Sequence, residues 1–105
     1  MKVKLSEITD VIRSKNAGPF ELTFDIMFQS ADWYQKVVES ESINADLICR
    51  LYKIAPEDVL NIVAFAPAKA LKVTIRRRIS SGALGETDVY GAQQHAPLLD
   101  LEFDL

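Results

Sequence analysis

The sequence predicts a single α+β domain in which a mainly antiparallel sheet of about four strands packs beneath two to three helices. Residues 20–28 alternate between apolar and polar side chains, as a strand with one buried face does. Residues 71–78 and 99–105 repeat that alternation, and apolar stripes at helical spacing lie between residues 31 and 52. We therefore expect a two-layer sandwich, with a ferredoxin-like strand order as the first topology to test.

Length and composition fit one domain that spans residues 1–105. Apolar residues make up 49% of the sequence, which suffices for one core without disulfides or metals. The formal net charge of −3 argues against a nucleic-acid partner, because such domains are usually basic. Cys49 is the only cysteine, and no apolar run approaches the roughly 18 residues of a membrane helix. We therefore expect a cytoplasmic protein with no membrane partner.

The first half of the chain predicts three helical segments around one strand. Leu5, Ile8, Val11 and Ile12 recur at helical spacing, with Ser6 as a candidate cap, and this helix would end before residue 16. After strand 20–28, polar residues suited to N-caps precede two further helices, and Pro56 suits the first position of one tight turn. The two predicted N-caps are Ser30, before a helix over 31–39, and Asn44, before a helix that reaches Tyr52.

The second half predicts the remaining strands. Residues 59–66 are apolar on both faces, which is typical of a central strand. A short connection then favours a hairpin with the amphipathic strand 71–78. Residues 80–97 lack clear periodicity, and a loop of this length in a small domain usually carries function or contacts a partner. Residues 99–105 predict the last strand.

Arg76, Arg77 and Arg78 look like a basic patch, but a strand places Arg76 and Arg78 on one face and Arg77 on the other. The polar face of the last predicted strand carries three acidic side chains, at Asp100, Glu102 and Asp104. If the two strands are neighbours, cross-strand ion pairs account for both charge sets. We favour that interpretation over a nucleic-acid or phosphate patch.

The first candidate site is the segment 13–19, interpreted as a loop after the first helix. Its cations, hydroxyl and amide lie beside a glycine that lets backbone approach a ligand, and arginine binds carboxylate or phosphate through two hydrogen bonds. The alternative is a helix C-terminus, where cations complement the helix dipole and the Gly-Pro pair turns the chain. The candidate ligand-binding residues here are Arg13, Ser14, Lys15, Asn16 and Gly18.

The second candidate site lies in residues 90–97 and contains the only histidine. A phenol and two amides could orient a polar substrate, and His95 could act as an acid or base near neutral pH. A lone histidine is more often a hydrogen-bonded structural residue, so ligand contact is favoured over catalysis. The candidate residues are Tyr90, Gln93, Gln94 and His95.

A metal site is not expected, because one histidine and one cysteine cannot make the usual zinc ligand sets. Carboxylates could join His95, but no spacing singles out any of them. The glycines and the Gly-Lys pair of a phosphate-binding Walker loop are also missing. We therefore expect no cofactor.

Three stretches, residues 11–23, 25–28 and 88–99, resemble the domain-of-unknown-function 4387 family, and the likeness covers most of the chain. Arg78 stands where a proline would be expected in that family. The resemblance implies no particular activity. It does imply a partner, because the family's members look like companions of the acyclic-terpene-utilisation AtuA-like proteins, beside them or fused to them. By this resemblance the chain is a small subunit of a catabolic enzyme that acts on an organic acid or its coenzyme A thioester.

Three functions remain open. The first is an accessory subunit whose sheet edge or long loop docks on an AtuA-like protein, with the two candidate segments completing a polar site at the interface. The second is a self-sufficient hydro-lyase, built as a homo-oligomer, in which Arg13 or Lys15 holds a carboxylate and His95 moves the proton. The third is a small-anion binding module without turnover. All three assume that the two candidate segments meet in space.

Overall fold

The computed structural model describes residues 2–18, 20–76 and 96–105. The strands are β1 (Lys2–Lys4), β2 (Thr9–Gly18), β3 (Glu21–Phe28), β4 (Val59–Phe65), β5 (Ala70–Arg76) and β6 (Glu102–Asp104). The helices are α1 (Leu5–Ile8), α2 (Ala31–Ser40), α3 (Ala45–Tyr52) and α4 (Ala96–Leu99). Short 3-10 helices at Pro56–Asp58 and Ala66–Ala68 flank β4.

The main sheet has four antiparallel strands in the order β2-β3-β5-β4. Two hairpins, β2–β3 and β4–β5, are joined by the helix pair α2 and α3. The predicted α+β class with a four-stranded antiparallel sheet is therefore confirmed. The ferredoxin-like topology is wrong, because that fold places one helix after its first strand and one after its third. Here both helices lie between the hairpins.

The core lies between the sheet and the helix pair. Leu22, Phe24, Ile26 and Phe28 project from one face of β3 and are almost fully buried. They join Val37 and Ile48, from the two helices, in one apolar cluster. Burial of each such side chain contributes about 1.5–3 kcal/mol, so this face of the sheet is the one that the helices cover.

Both predicted helix caps are present. The backbone N–H of Trp33 donates to the Ser30 hydroxyl over 3.2 Å, and that of Leu47 donates to Asn44 Oδ1 over 2.9 Å. Each bond satisfies a backbone donor that lacks a partner inside the helix. The chain then leaves α2 and α3 through left-handed residues at Glu41 and Lys53. The caps thus set the lengths of both helices.

The prediction of a first helix that reaches Ile12 is wrong. Helix α1 ends at Ile8, and β2 begins at Thr9. At the end of α1 the hydroxyl of Thr9 donates a hydrogen bond of 2.8 Å to the carbonyl of Leu5, which gives that carbonyl a partner. From there the chain pairs with β3 over the length of β2, with a register shift near each end, and this pairing satisfies backbone groups of both strands. Ser6, the predicted cap, is exposed, and the carboxylate of Glu7 accepts from the N–H of Lys4 instead.

The predicted central strand 59–66 is an edge strand. β4 pairs with β5 on one side and has no strand neighbour on the other among the described residues. Most of its apolar side chains are consequently exposed, including Leu60, Val63 and Phe65. Apolar residues on both faces of a strand therefore do not indicate a central position here.

The predicted last strand lies outside the main sheet. β6 pairs antiparallel with β1, which places Lys2 opposite Asp104 and Lys4 opposite Glu102. The expected pairing of these acidic residues with Arg76 is therefore wrong, because β5 is not their neighbour. Arg76 lies opposite Glu21 in the sheet, and its Nη1 is 3.8 Å from Asp58 Oδ1. Arg77 and Arg78 lie outside the described residues.

The helices within the described ranges are all too short or too polar to cross a bilayer.

Candidate functional site

The candidate site lies on the face of the main sheet that the helices do not cover. Strand alternation directs Thr23, Asp25 and Met27 of β3 to this open face, opposite the buried phenylalanines. The strand register places one side chain from each neighbouring strand, β2 and β5, directly opposite Asp25. Arg13 of β2 lies on one side of it and Lys72 of β5 on the other. One carboxylate thus lies between two cations.

The contact between Arg13 and Asp25 is direct. Arg13 Nε donates to Asp25 Oδ2 over 3.1 Å. The Arg13 side chain is 56% exposed, whereas that of Asp25 is 12% exposed. The carboxylate is therefore anchored within the sheet, and it orients the guanidinium of a side chain that remains more than half exposed.

These residues line a depression with a volume of about 480 Å³. Among the described lining residues, Arg13, Lys15 and Lys72 supply three cations and Asp25 supplies one carboxylate, which gives them a formal net charge of +2. The whole chain has a formal net charge of −3, so this positive region differs in sign from the protein as a whole. Clefts lined by one sign of charge concentrate ligands of the opposite sign. The charge distribution therefore favours an anion.

The remaining lining is apolar. Met27, Val63, Phe65, Ala68 and Ala70 come from β3, β4, β5 and the turn between β4 and β5. An arginine and two lysines suit a carboxylate or phosphate, whereas these side chains suit a hydrocarbon group. The depression can therefore hold an anion that carries a short apolar part.

The structure separates the residues of the first candidate segment. Arg13 and Lys15 line the depression, whereas Ser14 and Asn16 lie opposite Phe24 and Leu22 and so face the helix layer. The segment is a strand, so its interpretation as a loop is wrong, and so is its alternative as a helix C-terminus. Strand alternation is the cause, because successive side chains point to opposite faces.

Gly18 ends β2 with a φ of +156°, next to a break in the register with β3. A side chain rarely adopts such a backbone conformation, which is why glycine suits the turn into β3. Gly18 does not line the depression. Its role in the described structure is thus to turn the chain.

The candidate side chains of the second segment lie outside the described residues, and only its last two residues, Ala96 and Pro97, belong to a described element, α4. Tyr90, Gln93, Gln94 and His95 all belong to the range 77–95, which the structure does not describe. Their predicted contact with a ligand, the catalytic role of His95 and the meeting of the two segments remain predictions.

Of the described lining residues, the sequence singled out only Arg13 and Lys15, and the residues that it missed include Asp25, Lys72 and Phe65. Alternation in the sequence assigns Asp25 and Lys72 to the polar faces of their strands, and both lie on the open face of the sheet, where Lys72 is exposed and Asp25 is buried. Which of the several outward residues lie side by side depends on strand register, which no local pattern reveals.

Tyr52 is the one described residue whose pKa is clearly shifted, and it lies on the opposite side of the sheet. Burial raises the pKa of its phenol above the usual value, because the charged form is poorly solvated there. Its ring packs 4.8 Å from that of Phe24 within the helix layer. Tyr52 therefore stays a neutral core residue. Among the described residues, no group of three histidine, cysteine or carboxylate side chains could hold a metal ion.

The family model for the domain of unknown function DUF4387 matches residues 5–102, which include every residue that lines the depression. The chain belongs to this family. Curated proteins and solved structures contain no significant match to it. The DUF4387 family is defined without a function, so the geometry of the site is the guide to what this chain binds.

Proposed function

We propose that the chain is an accessory subunit that binds a small organic anion in the depression on the open face of its sheet. The observation that carries the proposal is the placement of Arg13, Lys15 and Lys72 around one cavity, where Asp25 is the single acidic residue of the described lining. Arginine and lysine are the side chains that proteins use for carboxylates and phosphates.

A carboxylate with a short hydrocarbon part is the ligand that fits best. The cations lie on β2 and β5, whereas Val63 and Phe65 of β4 form an apolar side of the depression. An organic acid can place its charge on the first side and its hydrocarbon chain on the second. An inorganic anion has no hydrocarbon part that could contact the apolar side.

The kind of ligand that fits the depression matches the substrate class of the partner that the family resemblance suggests. AtuA-like companions would be catabolic enzymes for organic acids or acyl-coenzyme A, and both ligands carry the charges that this site suits. In this proposal the chain binds the acidic group, the larger cytoplasmic subunit completes the site, and turnover requires both. The alternative of a self-sufficient hydro-lyase depends on His95, and no described residue adds to it.

Binding is tested by thermal unfolding with succinate as the probe. At a succinate concentration tenfold above Kd, the folded state gains about 1.4 kcal/mol, and Tm rises by several degrees. Lys15→Gln and Lys72→Gln each remove a cation of the depression and should abolish most of that rise. Arg50→Gln removes an equal charge from exposed Arg50 on α3 and should keep it. An equal response of all four proteins, or none with succinate or phosphate in any of them, contradicts the proposal.

The partner is tested by mixing the purified chain with a purified AtuA-like protein. Co-elution in size-exclusion chromatography, together with loss of enzymatic turnover when the chain is omitted, supports the accessory role. Separate elution and unchanged turnover remove that role, while the succinate experiment still decides whether the chain binds an anion.

A further inference from the structure

The outer edge of β4 has the composition of a strand that pairs with another chain. Its seven residues, Val59–Phe65, include no charged side chain. Leu60, Val63 and Phe65 are 39%, 43% and 56% exposed. Its outward N–H and C=O groups have no strand neighbour among the described residues. An apolar edge of this kind is a template for strand addition.

The opposite edge of the same sheet is protected. β2 carries Asp10, Arg13 and Lys15, and its pairing with β3 is interrupted by two register shifts. Charges and bulges are the usual devices that prevent edge-to-edge association. The pairing of β4 with β5 has one register shift, between Val59 and Asn61, and is regular beyond it. The two edges therefore differ in their capacity to pair.

The charges at the ends of β4 determine which partner fits. Exposed Glu57 precedes the strand, and partly exposed Lys69 follows it. In an antiparallel pair of identical strands, the beginning of each strand lies beside the end of the other. Each Glu57 would then approach the Lys69 end of the second strand, whereas a parallel pair would bring like charges together. The strand between these two residues carries no charge. The β4 edge of one copy is therefore complementary in charge to the antiparallel β4 edge of a second copy.

We propose that a second copy of this chain pairs with β4 in antiparallel orientation across a two-fold axis. The two sheets of four strands then form one continuous sheet of eight. Such an axis is perpendicular to the sheet, so both open faces lie on the same side. Val63 and Phe65 line the depression and also lie on this edge strand, so the depressions of the two copies become neighbours at the interface.

The mass in solution tests the proposal. Light scattering of the wild-type chain, at a concentration near 100 µM, should give twice the chain mass of 11.8 kDa. Val63→Lys, and independently Phe65→Glu, should give the single-chain mass with an unchanged circular dichroism spectrum. Val11→Lys is the matched control, because Val11 is 37% exposed on the same face at the opposite edge. This control should keep the double mass.

Charge reversal tests the orientation. Glu57→Lys places like charges at both ends of the interface and should raise the dissociation constant by roughly tenfold at low salt. The double variant with Glu57→Lys and Lys69→Glu should restore the wild-type constant. Lys72→Gln should leave dimerisation unchanged while it weakens succinate binding, so the two proposals can fail separately. A single-chain mass for the wild type, a double mass for both β4 variants, or disruption by Val11→Lys overturns the inference.

Discussion

Asp25 gives Arg13 a defined position without burying it. The carboxylate is held within the sheet and accepts a hydrogen bond from Nε of Arg13, while the guanidinium remains largely exposed. The pair is exposed on the side of Arg13 and buried on the side of Asp25, so water screens part of the attraction and the contribution of the pair to stability is modest. The same pair can still be important for binding, since it places the guanidinium before a ligand arrives.

We therefore expect Arg13→Gln to separate binding from stability. The free energy of unfolding should fall by only about 1 kcal/mol, because the glutamine amide can still donate to the largely buried carboxylate of Asp25. The Kd for succinate should rise by roughly tenfold or more, since a charged hydrogen bond contributes about 1.5–3 kcal/mol. Urea unfolding and isothermal titration calorimetry measure the two effects. A large loss of stability with unchanged affinity for succinate would show that Arg13 is a structural residue.

Tyr52 should make stability depend on pH in the alkaline range. Burial raises the pKa of its phenol, so the unfolded chain releases this proton at a lower pH than the folded chain. The contribution of Tyr52 is complete below the unfolded pKa of about 10 and is lost as the pH rises above it. Between these two pKa values the free energy of unfolding should fall with pH, and because Tyr52 is only half-buried, solvent screening should keep the slope below the limit of about 1.4 kcal/mol per pH unit.

Urea unfolding between pH 8 and pH 11.5 measures this decline. Tyr52→Phe should flatten the alkaline part of the curve, because the titrating group is gone. Tyr34→Phe is the control, since Tyr34 packs against Phe28 in the same helix layer. Identical alkaline slopes for the wild-type protein and Tyr52→Phe would contradict the assignment.

Among the elements, the two long helices are the most predictable because their start signals are local. Ser30 and Asn44 each accept a hydrogen bond from the backbone three residues ahead, which any isolated segment of this sequence could also form. Ser6 looked similar in the sequence but does not cap α1. Its helix begins at Leu5, so Ser6 already lies inside the first turn.

We expect Ser30→Ala and Asn44→Ala each to lower the free energy of unfolding by about 1 kcal/mol. Ser6→Ala should change it by only a few tenths of a kcal/mol, because alanine is well tolerated within a helix. Chemical denaturation of the three variants provides the measurement. A loss at Ser6 as large as that at Ser30 would mean that the hydroxyl of Ser6 has a structural role after all.

Strand β2 was less predictable because its sequence suits two structures. Leu5, Ile8 and Ile12 are spaced as in a helix, yet Ile12, Ser14 and Asn16 also alternate as in a strand. Pairing with β3 favours the strand, since each residue gains backbone partners that a short helix of this length cannot match. As a strand, this segment places Arg13 and Lys15 on the open face of the sheet and Ser14 on the face that the helices cover.

At the scale of the whole molecule, β1 and β6 join the two ends of the described chain. The N–H of Leu5 donates to the carbonyl of Leu101 over 2.8 Å, and Phe103 lies opposite Val3. Phe103 and Leu98 are both buried and belong to the same apolar cluster as the strands of the main sheet. The C-terminal segment is therefore part of the core.

Phe103→Ala should accordingly lower the free energy of unfolding by about 3–5 kcal/mol, because it leaves a cavity in that cluster. Phe20→Ala removes a phenylalanine that is 54% exposed and should cost less than about 1 kcal/mol. Urea unfolding of both variants at one protein concentration provides the comparison. Similar losses for the two would indicate that the C-terminal strand is not packed on the core.

The sequence by itself determined the α+β class, the strand of β3, the caps of α2 and α3, and the outward direction of Lys72. Each of these depends on residues within a few positions of one another, through side-chain alternation or a single capping bond. It also singled out Arg13 and Lys15 as residues suited to an anion.

Tertiary structure alone decided that β4 lies at an edge, that β6 pairs with β1, and that Arg13, Asp25 and Lys72 share one row of the sheet. Arg13 and Lys72 are far apart in the chain, and their proximity depends on the register of two separate strand pairs. Register is fixed by packing and backbone pairing over the whole sheet, so no local pattern contains it. For that reason the residues of the site were partly visible in the sequence, whereas the site itself was not.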